Sequence, residues 1–231
     1  MPVPPVMLVF MVAGTTEVRR FFHGGSLAAE SIRATLARHG TDVAQLGSIL
    51  DFGCGCGRVL RHWADLRAEL HGTDTNPRLV DSCARNLPYA HFERNRPLPP
   101  TTYWDGQFDL IYALSVFTHL PEERQRAWIR ELTRILKPGG HLMLSTHGVS
   151  CMDKLTRRER ERFRRGELVV RFGAAAGSNL CVAYHPPAYV RGTLAAGLEL
   201  VDFIPEGAKG NPQQDLVLFR KPATVHSSTH S

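Results

Sequence analysis

The sequence predicts an α/β fold, and three observations predict it. Short apolar, β-like runs alternate with helix-like segments along most of the chain. A buried-strand run, Ser48-Ile49-Leu50-Asp51-Phe52, leads directly into a turn with glycine at 53, 55 and 57. Pro121 opens a helical segment in which Trp128, Leu132 and Ile135 fall at i, i+4 and i+7 on one face, and a further apolar run follows it. A sheet with helices packed on it accounts for all three.

Composition limits the rest. A chain of 231 residues reads as one domain, or one with a small lid, and 43% apolar with 22% charged residues excludes a disordered, collagenous or coiled-coil chain. The net charge of +6 is too small to establish nucleic-acid binding. Five cysteines are too few and odd in number for a disulfide framework, so a reducing, cytoplasmic setting is expected. The apolar run at 6–13 is far shorter than the roughly 20 residues of a membrane span. No Lys or Arg precedes it, as a signal peptide would require. It is read as a lid, with no membrane partner, and nothing in the sequence sets the oligomeric state.

In order along the chain, Ser26 is expected to cap a helix running to about Arg38 and closed by Gly40. A strand at 48–52, the glycine turn and a helix at about 58–66 follow. Residues 70–73 form a second strand, and Asn76-Pro77 starts the next helix. A weak strand at 91–95 and a strong one at 108–113 precede the Pro121 helix, which Lys137-Pro138-Gly139-Gly140 stops before a strand at 141–145. The charged segment 152–165 is helix-like, and 167–172 with 179–184 make an inserted β-element. Pro187 starts another helix, and 198–204 and 215–220 are the last strands. The expected division is a lid and first helix at 1–40, a main domain at 41–222 carrying an insertion at about 149–190, and a disordered tail at 223–231.

The chemistry is concentrated in Ile49–Arg58. Glycines at 53, 55 and 57 let the backbone take positive φ and approach a ligand lying across the strand ends. A dinucleotide fingerprint would need glycine at 58, where this chain has Arg58, so a nucleoside without a pyrophosphate fits better. Asp74 closes the second strand, where a carboxylate can accept both hydroxyls of a ribose. Capping the next helix is its alternative task, which Thr75 or Asn76 could serve equally well.

Together, Ile49–Gly57, Gly72–Pro77, Phe108–Pro121 and Leu136–Gly140 resemble, in order and near spacing, the motifs of the class I S-adenosylmethionine-dependent methyltransferases. The resemblance covers about residues 45–148. It implies a Rossmann-like three-layer sandwich with a seven-stranded, mostly parallel sheet containing one antiparallel strand, and S-adenosyl-L-methionine bound at the strand carboxyl ends. Carried over, Asp51, Gly53, Cys54, Gly55 and Gly57 would wrap the methionine part. Asp74 would hold the ribose, and Thr75 and Asn76 would line the adenosine. Ala113, Leu114 and Ser115 would face the sulfur. Where many members carry an acidic residue for the adenine amino group, this chain offers Asn95 as an amide acceptor.

An oxygen or nitrogen acceptor also needs a proton acceptor, from loops beyond the strand ends. His147, Tyr184 and His185 are the candidates, whereas His119, in a Thr-His-Leu-Pro turn, is assigned to structure. The Cys54-x-Cys56 pair has no further ligands at metal spacing, so no metal is expected. The Asn/Asp-Pro-Pro-aromatic motif of nucleobase amino-methyltransferases is absent at 112–115. The Arg-rich run 154–165 is read as a solvated helix with internal pairs such as Arg157–Glu161, and nucleic acid is not expected as a partner. The expected function is methyl transfer to a small-molecule acceptor at oxygen. By analogy with bacterial members that the lid and the Tyr184-His185-Pro186-Pro187 insertion resemble, the acceptor is a sugar or secondary metabolite. The competing functions are a non-catalytic cofactor-binding module and a non-methyl transfer from the same cofactor.

Overall fold

A computed structural model describes residues 2–223. Its main sheet contains β1 (Ser48–Phe52), β2 (Glu69–Asp74), β3 (His91–Arg94), β4 (Phe108–Ala113) and β5 (Leu136–Thr146). A separate antiparallel ribbon follows, β6 (Val169–Arg171) with β7 (Val182–Tyr184). The chain then returns to the sheet as β8 (Glu199–Ile204) and β9 (Asp215–Arg220). The seven-stranded order is β3-β2-β1-β4-β5-β9-β8. The first five strands are parallel, and β9 runs antiparallel to both β5 and β8. From β1 the sheet grows one way through β2 and the other through β4. That reversal opens a crevice at the carboxyl ends, where ligands of open α/β sheets bind.

Strand periodicity divides the core into two layers. Ile111 and Ala113 face α4 (Glu122–Ile135), where Trp128, Leu132 and Ile135 are buried as the helical spacing predicts. Leu110 and Tyr112 face the opposite layer, where α2 (Val18–Arg38) contributes Ala28, Ile32 and Leu36. Between the layers β1 is buried along its whole length.

The N-terminal part departs from expectation. It holds two helices, α1 (Val6–Ala13) and α2, separated at Gly14, which is left-handed at φ 64°. Ser26 lies inside α2 and caps nothing. The helix runs through Gly24-Gly25 because these glycines permit a close approach: a Cβ on Gly25 would lie 2.1 Å from the Arg58 carbonyl oxygen. The expected helix at 58–66 is replaced by turns and one 3₁₀ turn, Leu60–Trp63. The Arg61 guanidinium takes the carbonyls of Gly57 (2.8 Å) and Cys56 (3.1 Å), and His62 N bonds Val59 O three residues back.

Elsewhere the elements hold with shifted bounds. Helix α3 (Pro77–Asn86) is capped by Asn76, whose side chain accepts from Arg78 N. Residues 137–140 are the extended start of β5, with an irregularity opposite Phe108/Leu110, and do not form a loop. The charged segment divides into a 3₁₀ stretch, Val149–Lys154, and α5 (Arg157–Arg164), which has a Thr156–Glu159 capping box. The helix at Pro187 is short, α6 (Pro187–Tyr189), and passes into a π-helical turn, Val190–Leu194. The expected tail at 223–231 lies, from 224 on, outside the described residues.

Candidate functional site

A cavity of about 870 Å³ lies across the carboxyl ends of β1, β2 and β4. That is near the top of the roughly 300–1,000 Å³ range of small-molecule sites. The glycine turn forms one wall. Gly53 N and Cys54 N both donate to Thr73 O at 2.8 Å, pinning the turn to the end of β2. Gly53 at φ 79° and Gly55 at φ 56° supply the left-handed backbone that this requires. Asp74 then bridges the two segments: Oδ2 accepts from Gly55 N (3.0 Å) and Oδ1 from Asn76 N (2.9 Å). Burial raises the Asp74 pKa while these amides oppose the rise. With one bond from the chain to each oxygen, the carboxylate keeps acceptor capacity.

Asp51, at the end of β1, is buried and lines the cavity. Burial pushes its pKa up to about 7, and Tyr112 and Arg58 only partly offset this. The Arg58 guanidinium is itself held, with Nη2 donating to Asn211 Oδ1 (2.6 Å) and Nη1 to Gly210 O (3.3 Å). Ser115, left-handed at φ 58°, donates its N–H to Ser145 Oγ (2.7 Å). Gln214 closes this network, accepting from Ser145 Oγ (2.7 Å) and donating to Ser115 Oγ (2.8 Å). The floor under the cavity is thus a hydrogen-bonded polar layer that ties the turns after β1 and β4 to the loop before β9.

The far end of the cavity lies beyond β4. His119 Nδ1 is 2.7 Å from Cys181 O. A carbonyl only accepts, so Nδ1 carries the proton and Nε2 is left as an acceptor. Burial lowers the pKa of this ring, which keeps it neutral. Gly177 N donates to His119 O (2.8 Å) and Arg124 Nη1 to Ala176 O (3.4 Å), so the loop at 176–179 is fastened to this end. Helix α1 covers the cavity with Phe10, Met11 and Val12, and Asn179 Nδ2 donates to Met11 O (3.2 Å).

The structure brings Asp51, Gly53, Cys54, Gly55, Asp74, Thr75, Asn76, Asn95, Leu114 and Ser115 to the cavity wall. It does not bring Gly57 or Ala113 there. A Cβ on Gly57 would lie 2.5 Å from Leu87 Cδ1, so this glycine serves packing under the turn. Ala113, at the end of β4, is fully buried in the core layer on the α4 side.

The three residues expected to act as a base are also elsewhere. A bridge between His147 and Tyr184, together with His185 N donating to His147 O (2.7 Å), zips these segments into the fold. His185 is wholly buried beside Gln125, with Nε2 3.1 Å from Gln125 Nε2, and burial drives its pKa down to about 3. His147 bonds Ala183 O through Nδ1 and is pushed down to about 4, mainly by burial. Tyr184 packs among Cys151, Leu155, Phe163 and Val169. None of the three lines the cavity.

His119, assigned to structure, stands at the wall in their place. Sequence reasoning also missed Arg124, Asn179 and Asn211 as wall residues, and treated Arg58 only as a missing glycine. His119 had a signal, since it follows the strand that ends the glycine-turn layer. Asn211 had none, because it arrives from a loop between the last two strands.

Residues 50–142 match the family model described as a methyltransferase domain. A malonyl-[acyl-carrier protein] O-methyltransferase of Enterobacter lignolyticus is 26% identical over 129 residues, 56% of this chain and 49% of that one. A ubiquinone biosynthesis O-methyltransferase of Xanthomonas oryzae pv. oryzae is 30% identical over 102 residues, 42% of each. The chain spans about half the length of these curated relatives. In fold, an S-adenosylmethionine-dependent methyltransferase from Mesorhizobium loti superposes with a TM-score of 0.63 at 18% identity, over 83% of this chain and 98% of that one. Residues 50–142 thus resemble a methyltransferase domain, and the fold is one that a solved methyltransferase shares.

Proposed function

We propose that the protein transfers a methyl group from S-adenosylmethionine to a small-molecule acceptor, at oxygen. The observation that carries this reading is the two-ended cavity. One end has the donors and acceptors for a nucleoside cofactor, and the other continues past β4 to His119, Arg124 and Trp128. A module that only bound the cofactor would have no use for the second end. The two relatives above are named as O-methyltransferases, which supports oxygen.

The residues fit the cofactor. Asp74 retains acceptor capacity for ribose hydroxyls, and its bond to Gly55 N ties the glycine turn to the end of β2. Asn76 spends its side-chain oxygen on capping α3, which leaves its Nδ2 donors for the adenosine. Asn95 donates Nδ2 to Arg96 O (2.9 Å), which leaves Oδ1 to accept from an amino group such as that of adenine. The acidic group at Asp51 suits a cation, since a buried carboxyl whose pKa is raised to about 7 gains most from one. The ammonium of the methionine part supplies it. Arg58 holds the place where a dinucleotide would need glycine and is fixed to Asn211, so a pyrophosphate finds no cradle there.

When bound, the cofactor supplies an electrophilic methyl on a sulfonium, whose carbon–sulfur electron pair returns to sulfur as the new bond forms. The chain aligns the acceptor, keeps water out beneath α1 and receives the acceptor's proton. The N-terminal segment acts as a lid in this account, because α1 lies directly on the turn: a Cβ on Gly55 would meet Val12 Cγ2 at 2.8 Å. Among the described residues no helix is long and apolar enough to cross a membrane. The five cysteines are all free, which supports a cytoplasmic setting. In α5 and its flanks, Arg157, Arg162, Arg165 and Arg171 are paired with Glu161, Glu167 and Glu159, which supports a solvated helix over a nucleic-acid surface.

The test is mass spectrometry of product formed from methyl-labelled cofactor with panels of sugar, phenol, carboxylic acid, amine and RNA acceptors. Label on an oxygen of a small molecule together with the demethylated cofactor supports the reading. Label confined to RNA, or transfer of another cofactor fragment, overturns it.

A further inference from the structure

We propose that the end of the cavity beyond β4 is a subsite for an anionic small molecule. Arg124 holds the anionic group, and His119 Nε2 accepts the hydrogen of the hydroxyl to be methylated. This rests on the methyl-transfer reading above and adds to it the chemical class of the acceptor.

The first observation is how charge is divided along the cavity. Both wall carboxylates, Asp51 and Asp74, stand at the glycine-turn end, and the ionisable side chains beyond β4 are His119 and Arg124. The second concerns Arg124. Its guanidinium offers five N–H donors, and its one hydrogen bond, to Ala176 O, is long at 3.4 Å. Among the described residues it makes no ion pair, whereas its neighbours Glu122 and Arg126 pair with each other. A half-buried guanidinium with most donors unspent, facing a cavity, matches a carboxylate or phosphate in fork geometry.

His119 supplies the third observation. The bond from Nδ1 to Cys181 O fixes the tautomer and turns the ring's basic nitrogen into the acceptor of this site. Its backbone carbonyl receives Gly177 N, so the loop that steadies Arg124 also steadies His119. Leu120 and Trp128 give the same end an apolar wall for the acceptor's carbon skeleton. In the reaction, the acceptor oxygen forms the bond to the methyl carbon while its proton passes to His119 Nε2 and on to water. The net products are the methylated acceptor, the thioether and one proton, so no further reactant is needed.

The probes are 4-hydroxyphenylacetate, its amide and phenylacetate, titrated calorimetrically into protein saturated with S-adenosylhomocysteine. In the wild type the hydroxy acid should bind roughly tenfold or more tightly than its amide, the effect of a charge-assisted pair. Arg124→Gln should bring that ratio near unity. His119→Asn keeps a donor for Cys181 O and removes Nε2, so it should erase the advantage of the hydroxy acid over phenylacetate. The ¹⁵N signal of His119 Nε2 should read as unprotonated at pH 7 and shift with the hydroxy acid but not with phenylacetate. Unchanged S-adenosylhomocysteine affinity in both variants shows that the fold survives.

If S-adenosylhomocysteine itself does not bind, the methyl-transfer reading fails and takes the subsite with it. If it binds but acid and amide bind alike, or none of the three probes binds, the anionic subsite alone is overturned. An acid preference that survives Arg124→Gln overturns the role of Arg124. A His119 Nε2 signal unmoved by the hydroxy acid overturns the role of His119.

Discussion

The two ends of the cavity are built in opposite ways. The glycine-turn end comes mainly from one stretch of chain, Asp51 to Asn76, in which the Gly53, Cys54 and Gly55 amides and the Asp74 carboxylate are bonded to neighbours in that stretch. The far end is assembled from α1, the turn after β4, the start of α4 and the inserted loop at 176–179, held by single contacts such as Asn179 to Met11 and Gly177 to His119. A site written locally keeps its geometry wherever the fold forms. A site assembled from distant segments can change its ligand by changing a loop, which suits a shared cofactor beside a variable acceptor.

The largest effect should come where the two ends meet. A Cβ on Gly53 would lie 2.4 Å from Val116 Cγ2, and the residue sits at φ 79°. Gly53→Ala should cost about 1–2 kcal/mol in backbone strain and about 1–3 kcal/mol in overpacking. Urea denaturation should show a lower midpoint with an unchanged slope. An unaltered midpoint would mean that the ends are not in contact through this residue.

Asp74→Ala should separate the ends. Losing hydrogen bonds to a charged group costs about 1.5–3 kcal/mol, or roughly 10- to 150-fold in affinity for S-adenosylhomocysteine. Its stability change should be smaller than that of Gly53→Ala, since the two hydrogen bonds it loses, from Gly55 N and Asn76 N, are only part-buried at the cavity. Calorimetry with the product checks it, and an unchanged Kd would place the carboxylate outside the ribose site.

The locality of the first end is also why it was legible. Glycines in a strand-to-helix turn and an acidic residue at the next strand end carry their own reason in the sequence, and all but Gly57 stand at the wall. Gly57 shows the limit, because a glycine needed for packing against Leu87 looks the same in sequence as one needed for a ligand. The strands were legible for the same reason: β1 and β4 are apolar apart from Ser48, Asp51 and Asp109, and β4 has the bounds expected from the sequence. The far end depended on which histidine reaches the cavity. His185 and His119 are both flanked by loop residues, and only the tertiary fold buries the first against Gln125 and leaves the second at the wall. The helix missed at 58–66 has a similar cause, since Arg61 caps turn carbonyls only because α2 and the turn press together.

Proton linkage distinguishes the ends more gently. Asp51 stays protonated in the folded state up to about 7, while an ordinary aspartate ionises near 3.8. In that window the unfolded chain binds fewer protons, so this residue makes stability fall as pH rises from 3.8 to about 7. Asp51→Asn should therefore flatten the dependence, gaining stability over the wild type at pH 8 and little at pH 4. Parallel pH curves for the two proteins would contradict the buried carboxyl. The smallest effect belongs to the far end: Asn179→Ala removes one hydrogen bond to α1, worth about 0.5–1.5 kcal/mol. Hydrogen exchange should quicken in residues 6–13 while affinity for S-adenosylhomocysteine is kept.

The central claim is that Asp51–Asn76 holds S-adenosylmethionine, and one paired titration tests it most directly. Calorimetry of the wild type with S-adenosylmethionine and with NAD should give micromolar or tighter binding for the first and weak or no binding for the second. Tighter binding of NAD, despite Arg58 at the dinucleotide glycine position, would contradict the account.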